Sequence, residues 1–543
     1  MNEKILLSGD VDAIKEYVFE TSYLPQIRGG SQLLIDCEEA IKKFIDDSGG
    51  DKIYCGGGSF LFLVPREKAG DLKNEIEQIY LDKTGTATIT VTIEKESAPL
   101  EDPGLLDGWA SRLWQASGAK DRGDRFALRA SLIAADLREE KVQKRTAPFQ
   151  EKLPFIKVCD CCGKRMASEK IQRSPRGEVV EALRACKICQ IKHLEGGKRD
   201  YGTRGKFNED FYEFMMERDQ RFAASPALPA KDLEELTKGM RKEHIAFLYA
   251  DGNDIGNLLL KAGDEDGYRT LSKGLTNGTK KALFEALFKV CGPALRGDGK
   301  GGIIWPFEIV TVGGDDIIVL VQACYAWELA VEFLENFEKY VKDLINQDVT
   351  ASCGIAIADV KYPVRYLRSL AEGSLKRAKK KAKDDPQNPM SAIDFIWLPN
   401  PVLSERVETL AGYYHRGDRS LTARPYALDE AKTLKSLMEN ATDLPRSQRH
   451  LWGEALERGI QVSRNAIFYN VARMKEDKLN EFKKFLKDVT DLVTPQNWEA
   501  PQSIWVERKE GEKNRWCTAL LDVLELAELH SMRKDRERKE EKA

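Results

Sequence analysis

The sequence predicts an α+β protein with two ferredoxin-like sheet domains, a linker domain holding four cysteines, and a C-terminal helical bundle. Three observations lead there. A Gly-Gly-Asp-Asp tetrapeptide, Gly313 to Asp316, interrupts an apolar run from Trp305 to Val321. The strand and helix patterns around it form a complete sheet-domain set, and the same order occurs once before, at the start of the chain. Between the two copies, Cys159, Cys162, Cys186 and Cys189 make two CxxC knuckles.

In the first copy, EKILLSGD (residues 3–10) reads as a strand ending in Asp10, and Lys52 to Val64 as an apolar hairpin bounded by glycine turn chemistry. A helix over 66–82 and the strand TATITVTIE follow. Setting Cys55-Gly56-Gly57-Gly58-Ser59 against Val312-Gly313-Gly314-Asp315-Asp316 puts Gly58 and Ser59 where the second copy has carboxylates. The first copy therefore reads as duplicated and disarmed. The pair Ala119-Lys120 echoes Ala378-Lys379. Such a repeat predicts two domains around a shared cleft, one with a full metal set. Arg28-Gly29-Gly30-Ser31 reads as glycines ahead of a helix with a serine cap: a phosphate nest, or a capped helix with no ligand. Ser31 and Ser59 are candidate nucleotide contacts.

In the second copy a strand at 244–251 is followed by helical patterns near 255–262 and 269–291, then the hairpin. A helix from Trp327 to Gln347, a strand from Val349 to Ala358, a lysine-rich helix from Val364 to Lys383 and a last strand, SAIDFIWL, complete it. The order βααββαβ predicts an antiparallel sheet with helices on one face, the palm of nucleotide polymerases and cyclases. Gly-Gly-Asp-Asp alone could be a plain turn, since both residue types favour turns. Two adjacent carboxylates at the end of buried strands are costly unless a cation compensates them. The strand ending in Asp251 adds a third, and Mg²⁺ takes hard oxygens while keeping positions for nucleotide phosphates. The expected magnesium set is Asp251, Asp315 and Asp316 with Gly252. Gly313, Gly314, Asp254 and Lys379 join Ser31 and Ser59 as expected nucleotide contacts.

The domains are placed at 1–125, 126–240, 241–400 and 401–543, in keeping with 543 residues as three or four compact units. The net charge of −3 points to no particular partner. No apolar stretch approaches the roughly 18 residues of a membrane span, and the N-terminus lacks a signal pattern, so a cytoplasmic protein without a membrane partner is expected. Eleven cysteines, most of them scattered, fit a reducing compartment. Cys159, Cys162, Cys186 and Cys189 have the spacing of a four-thiolate zinc ribbon, favoured over two disulfides or a redox pair. Cys161 is an extra thiol. With four sulfurs and no open position the zinc would be structural. Lys164, Arg165, Lys170, Arg173 and Arg176 make this lobe basic, a solvated surface or an RNA contact. Beyond residue 400, apolar residues at three- and four-residue spacing in LDEAKTLKSLM, AIFYNVARM and CTALLDVLELAEL predict four to six helices, with a frayed charged tail after Met532.

Paired palms with GGDD in the second, a four-cysteine segment between them, and the strings GDVDAIKEYVFETSYLPQIRGGSQLL and ADGNDIG together resemble the large polymerase/cyclase subunit of type III CRISPR effector complexes, of the Cas10, Cmr type. The resemblance implies a target-RNA-activated nucleotidyltransferase converting ATP to a cyclic oligoadenylate with release of pyrophosphate, using Mg²⁺ or Mn²⁺ at Asp251, Asp315 and Asp316 and structural Zn²⁺. It implies the other subunits of the complex as partners, and guide and target RNA through them. Lys379 resembles the helix lysine that cyclases with GGDEF palms aim at the triphosphate; otherwise it is one more exposed lysine. Two departures stand out. Asn253 occupies the second acidic position of the usual Asp-x-Asp strand end, with Asp254 displaced by one. None of the five histidines (His193, His244, His415, His450, His530) is followed by Asp, so no HD nuclease and no DNase activity is expected. The alternatives are AMP transfer to another small molecule, a cyclic dinucleotide product, or a catalytically silent scaffold.

Overall fold

A computed structural model describes residues 4–95, 125–144, 155–173, 181–197, 205–218, 228–262, 264–295, 304–385, 388–400, 402–404, 406–494, 503–510 and 513–540. The first unit runs β1 (Lys4–Val11), α1 (Ile14–Val18), α2 (Leu24–Asp47), β2 (Asp51–Gly56), β3 (Ser59–Pro65), α3 (Ala69–Thr84), β4 (Ile89–Ile93) and α4 (Arg125–Gln143). Its sheet has the order β2-β3-β1-β4. Helix α4 packs on β1 and β4, so it belongs to this unit rather than to the expected linker. The linker lobe follows with β5 (Glu169–Arg173), β6 (Glu181–Ala185), α5 (Lys187–Gly196), α6 (Lys206–Arg218) and α7 (Leu233–Leu236).

The second unit runs β7 (His244–Gly252), α8 (Ile255–Leu260), α9 (Glu265–Leu295), β8 (Phe307–Val312), β9 (Asp316–Gln322), α10 (Ala326–Ile345), β10 (Ala351–Asp359), α11 (Val364–Ala382) and β11 (Ala392–Trp397). Its strands β8-β9-β7-β10 repeat the first sheet's order, and β11 extends them in parallel with β10. The repeat reaches fine detail. Irregular pairing falls between Lys52 and Tyr54 in β2 and between Ile309 and Thr311 in β8, the positions the hairpin alignment equates. Ala13 and Asp254, each opening the helix after the first strand of its unit, both have left-handed backbone, at φ 53° and 58°.

Helices lie on both faces of the second sheet, not on one as expected. Ala246, Leu248 and Ala250 point into the core shared with α9 and α10, whereas Ile245, Phe247 and Tyr249 point to the core holding Leu367, Leu370 and Leu375 of α11. The period-2 alternation of β7 is apolar on both sides, which leaves no face for solvent. Gly354 lets α11 lie directly on β10: a Cβ there would come within 2.2 Å of the Ala371 carbonyl oxygen.

The same inner face meets the first unit. Phe19 and Phe247 stack edge to face with centroids 5.1 Å apart, and Arg28 forms a bidentate pair with Glu308 at 2.7 and 2.6 Å, both side chains buried. Arg28 therefore sits inside α2, not ahead of it, and Ser31 with it. The predicted cap is corrected: Ser31 is buried in mid-helix and its hydroxyl donates to the Val310 carbonyl.

The C-terminal region holds α12 (Val407–Ala411), β12 (His415–Arg416), β13 (Arg419–Ser420), β14 (Tyr426–Ala427), α13 (Leu428–Thr442), α14 (Arg446–Arg458), α15 (Ile460–Val471), α16 (Glu476–Asp491), β15 (Val506–Glu510), β16 (Lys513–Cys517) and α17 (Leu520–Glu540). It is not wholly helical. Strands β12-β13-β16-β15 form a small sheet, and β14 pairs with β11 as the outermost strand of the second unit. The charged stretch after Met532 continues α17 to Glu540 rather than fraying. Among the described residues no helix is long and apolar enough to cross a membrane.

Candidate active site

The end of β7 and the tip of the β8–β9 hairpin form one register. Asp251 lies directly opposite Asp316, the Gly252 amide donates to the Asp315 carbonyl at 3.1 Å, and the Gly313 amide closes the turn on the Asp316 carbonyl at 2.8 Å. A Cβ on Gly252 would lie 2.9 Å from an Asp315 carboxylate oxygen, so that carboxylate rests over the end of β7. Thr279 of α9 donates to the Gly314 carbonyl at 2.9 Å and steadies the turn from behind. Three carboxylates are thus collected by two strand ends.

Burial, with the charges of Asp251 and Asp316 beside it, pushes the Asp315 carboxyl up to about 8, against the pull of Lys379. Asp316 rises to about 6 through burial and Asp251, opposed by Lys15 and Lys379. Burial and the charges of Asp316 and Asp251 also push up the Tyr249 phenol. Like charges in a poorly solvated place raise one another's cost of ionisation, and a cation would remove that cost.

Lys379 supplies part of it. Its ammonium bonds the Asp251 carboxylate and the Gly252 carbonyl, the latter at 3.0 Å. The expected lysine is therefore at the site, on α11, where Gly354 lets the helix come close. Asn253 donates to Thr350 Oγ1 at 3.0 Å and accepts from Ser352 at 2.9 Å, so its amide is committed to the β10 edge. Asp254 is exposed at the start of α8 and accepts from Asn257 at 2.6 Å. It is engaged there rather than with the other carboxylates.

The first unit reproduces this geometry with altered chemistry. Asp10 lies opposite Ser59, and the Val11 amide donates to the Gly58 carbonyl at 2.8 Å. Ser59 is half-buried, with its hydroxyl 3.5 Å from the Gly56 carbonyl. Lys141 of α4 bonds Asp10 and, at 3.0 Å, the Val11 carbonyl, matching Lys379 group for group. The echo expected at Ala119-Lys120 lies outside the described residues, and Lys141 is the side chain that takes that place. Nothing in its local sequence marked it.

Cys159, Cys162, Cys186 and Cys189 are buried, unbridged, and bring their sulfurs within 4.8 Å of one another. Cys162 and Cys186 are 4.0 Å apart. A tetrahedral site with bonds of about 2.3 Å has sulfur–sulfur edges of about 3.8 Å, so the quartet fits zinc. The Lys164 and Cys189 amides reach Cys162 and Cys186 at 3.5 Å. Cys161 is half-buried. Of the basic residues of this lobe, Arg165 is turned inward to Glu20 at 2.9 Å, and Arg176 lies outside the described residues. Among the described residues the quartet is the group gathered this tightly; the aspartates are held less closely, with Lys379 among them. A cavity of about 520 Å³ lies away from them, between the linker lobe, α2 and the loop after β10, lined by His193, Lys231 and Tyr362 among others.

A sheet of this order, with a strand-end aspartate facing a Gly-Gly-Asp-Asp hairpin, has the arrangement of a palm domain. Residues 244–387 match the family described as Cas10/Cmr2, second palm domain. No curated protein matches it. Among solved structures it is similar to the Csm1–Csm4 cassette in complex with AMPPNP, at 11% identity over 98% of this chain and 70% of that one, with a TM-score of 0.51. The Csm1–Csm4 cassette in complex with cA3 is similar at 12% identity over 98% and 70%, also with a TM-score of 0.51. At these identities the likeness is one of fold.

Proposed function

We propose that this chain is the nucleotidyltransferase subunit of a type III CRISPR antiviral complex, activated by target RNA to convert ATP into a cyclic oligoadenylate with release of pyrophosphate. The observation that carries the reading is Asp251 facing Asp316 beside Asp315, in a palm that matches the Cas10/Cmr2 family. That the Csm1–Csm4 cassettes of the same fold were solved with AMPPNP and with cA3 supports adenine nucleotides as substrate and product class.

The donor set fits magnesium or manganese: hard carboxylate oxygens, the Gly252 carbonyl, and a lysine now serving as counter-charge. A divalent ion held there would supply charge to neutralise the polyphosphate and to lower the pKa of the attacking 3′-hydroxyl. Asp251, Asp315 and Asp316 hold the ions, Gly313 and Gly314 let the nucleotide approach the turn, and Lys379, once released from Asp251, turns to the triphosphate as a point charge. The first unit acts as a disarmed palm that faces the acceptor nucleotide across the cleft. The cysteine quartet holds structural zinc. The other subunits, a Csm4-like one among them, dock on the chain, and guide and target RNA act through the complex in the cytoplasm. No DNase chemistry is assigned to this polypeptide.

Labelled ATP and Mg²⁺ given to the purified complex, with matched or mismatched target RNA, test this. Pyrophosphate release that depends on matched RNA, with a cyclic adenylate by mass spectrometry, is the expected result. Turnover without RNA would make the chain a free-standing cyclase, and no turnover at all a scaffold.

A further inference from the structure

One side chain of the first unit reaches the acidic face of the second. Lys15 of α1 donates to the Tyr249 hydroxyl at 2.6 Å and lies 3.3 Å from the Glu372 carboxylate on α11. Tyr249 is two residues before Asp251 on the same face of β7. The Lys15 ammonium also stands 4.2 Å from the Tyr249 ring centroid, and its charge is the leading one favouring the Asp316 anion. The side chain keeps 29% exposure, enough to meet a ligand in the cleft.

The internal repeat supplies an independent argument. Lys15 follows left-handed Ala13 by two positions, as Gly256 follows left-handed Asp254. The unit facing three carboxylates therefore contributes a lysine, while the unit facing Gly58 and Ser59 has a glycine at the matching place. A lysine serving only to pin two domains together would have no reason to track the carboxylates. A lysine serving the charged ligand those carboxylates collect would.

We propose that Lys15 is a substrate-binding residue given by the N-terminal unit to the active site of the C-terminal one, where its ammonium takes the terminal phosphates of the nucleoside triphosphate. This deepens the function proposed above and rests on it. As the 3′-oxygen bonds to the α-phosphorus, the bond from that phosphorus to the α,β-bridging oxygen breaks. The electron pair leaves with pyrophosphate and the hydroxyl proton passes to water. Lys15 lies where it can hold the charge that leaves. Glu372 then competes with the nucleotide for Lys15.

Calorimetric titration of the full chain with a non-hydrolysable ATP analogue and Mg²⁺ tests the assignment. Lys15→Met should weaken binding by about tenfold or more at an unchanged thermal midpoint, and Lys15→Arg should restore most of it. Glu372→Gln should leave binding equal or tighter, because it frees the ammonium. Wild-type affinity in Lys15→Met would overturn the proposal, as would equal losses in Lys15→Met and Glu372→Gln, which would make the contact a pin between α1 and α11. Failure of a different kind would appear in the wild type: no binding, or binding indifferent to Asp315→Asn with Asp316→Asn, removes the nucleotidyltransferase reading itself and this inference with it.

Discussion

Gly57 and Gly313 meet at the tips of equivalent hairpins, where a Cβ placed on Gly57 would stand 3.1 Å from the Gly313 Cα. The two units touch at the turn that carries the carboxylates. Gly57 also has φ +66°, so a side chain there is strained as well as crowded. Gly57→Val should cost roughly 1–3 kcal/mol of stability and lower turnover more than a surface change of equal cost, because the displaced tip carries Asp315 and Asp316. Thermal melts and ATP turnover on the same preparations check this.

Asp315→Asn and Asp316→Asn should abolish turnover and yet raise the melting temperature of the metal-free protein. Their carboxyls are pushed up in the fold, to about 8 and about 6. Between the unfolded value near 4 and those folded values the native state binds the extra protons, so metal-free stability falls as pH rises through that window. Removing one carboxylate should return something of the order of 1–2 kcal/mol at pH 8, measured by denaturant melts with chelator present. A melt that is flat between pH 5 and 8 would contradict it.

Cation binding should follow the same groups in reverse. Manganese affinity, read by electron paramagnetic resonance, should rise steeply from pH 6 to 8 with proton release, since the ion takes ionised carboxylates only. Affinity independent of pH would mean the ion binds elsewhere.

Lys379 and Lys141 occupy matching places and should behave oppositely. Lys379→Met removes the resident counter-charge of Asp251; it should tighten manganese binding without nucleotide while lowering turnover by about two orders of magnitude. Lys141→Met should spare manganese binding and show its effect in the melting temperature, since Asp10 and Asp12 lose a partner. Equal turnover losses in the two variants would remove the distinction between the units.

The cysteine quartet should hold one zinc per chain. Lys192 of α5 ties the quartet's helix to the first unit through Glu20 at 2.7 Å and the Tyr17 carbonyl at 2.5 Å. Cys162→Ser, or strong chelation, should therefore destabilise the first unit as well as the lobe, by several kcal/mol. Metal analysis with hydrogen exchange of α1 and α2 would show whether the loss spreads.

The second unit was legible because its strands are continuous apolar runs with sharp glycine punctuation, and the first because it copies that punctuation. Helix boundaries such as Val364 to Ala382 fell within a residue or two for the same reason. What escaped depends on tertiary placement. How closely α11 lies on β10 depends on Gly354, which alone looks like one more small residue in a strand. Lys141 and Lys15 are ordinary charged side chains until the fold sets them beside Asp10 and Tyr249. Ser31 follows two glycines that look like a loop, yet the pair sits inside α2, where Gly29 lets the Lys192–Gly196 backbone pass closely. The β15–β16 hairpin is so rich in charge that its alternation is hidden in the sequence.

Arg28 closes on Glu308 where water does not reach, and the same guanidinium also holds the carbonyls of Gly196 and Ala230 at 3.0 and 2.9 Å. One base thus fastens three stretches of chain that lie far apart in the sequence. Grafting an amino-terminal half from a distant cousin lacking that arginine would leave Glu308 without its cation in oil, at a penalty of roughly 3–5 kcal/mol. Any exchange of halves therefore has to carry both members of this pair, or neither.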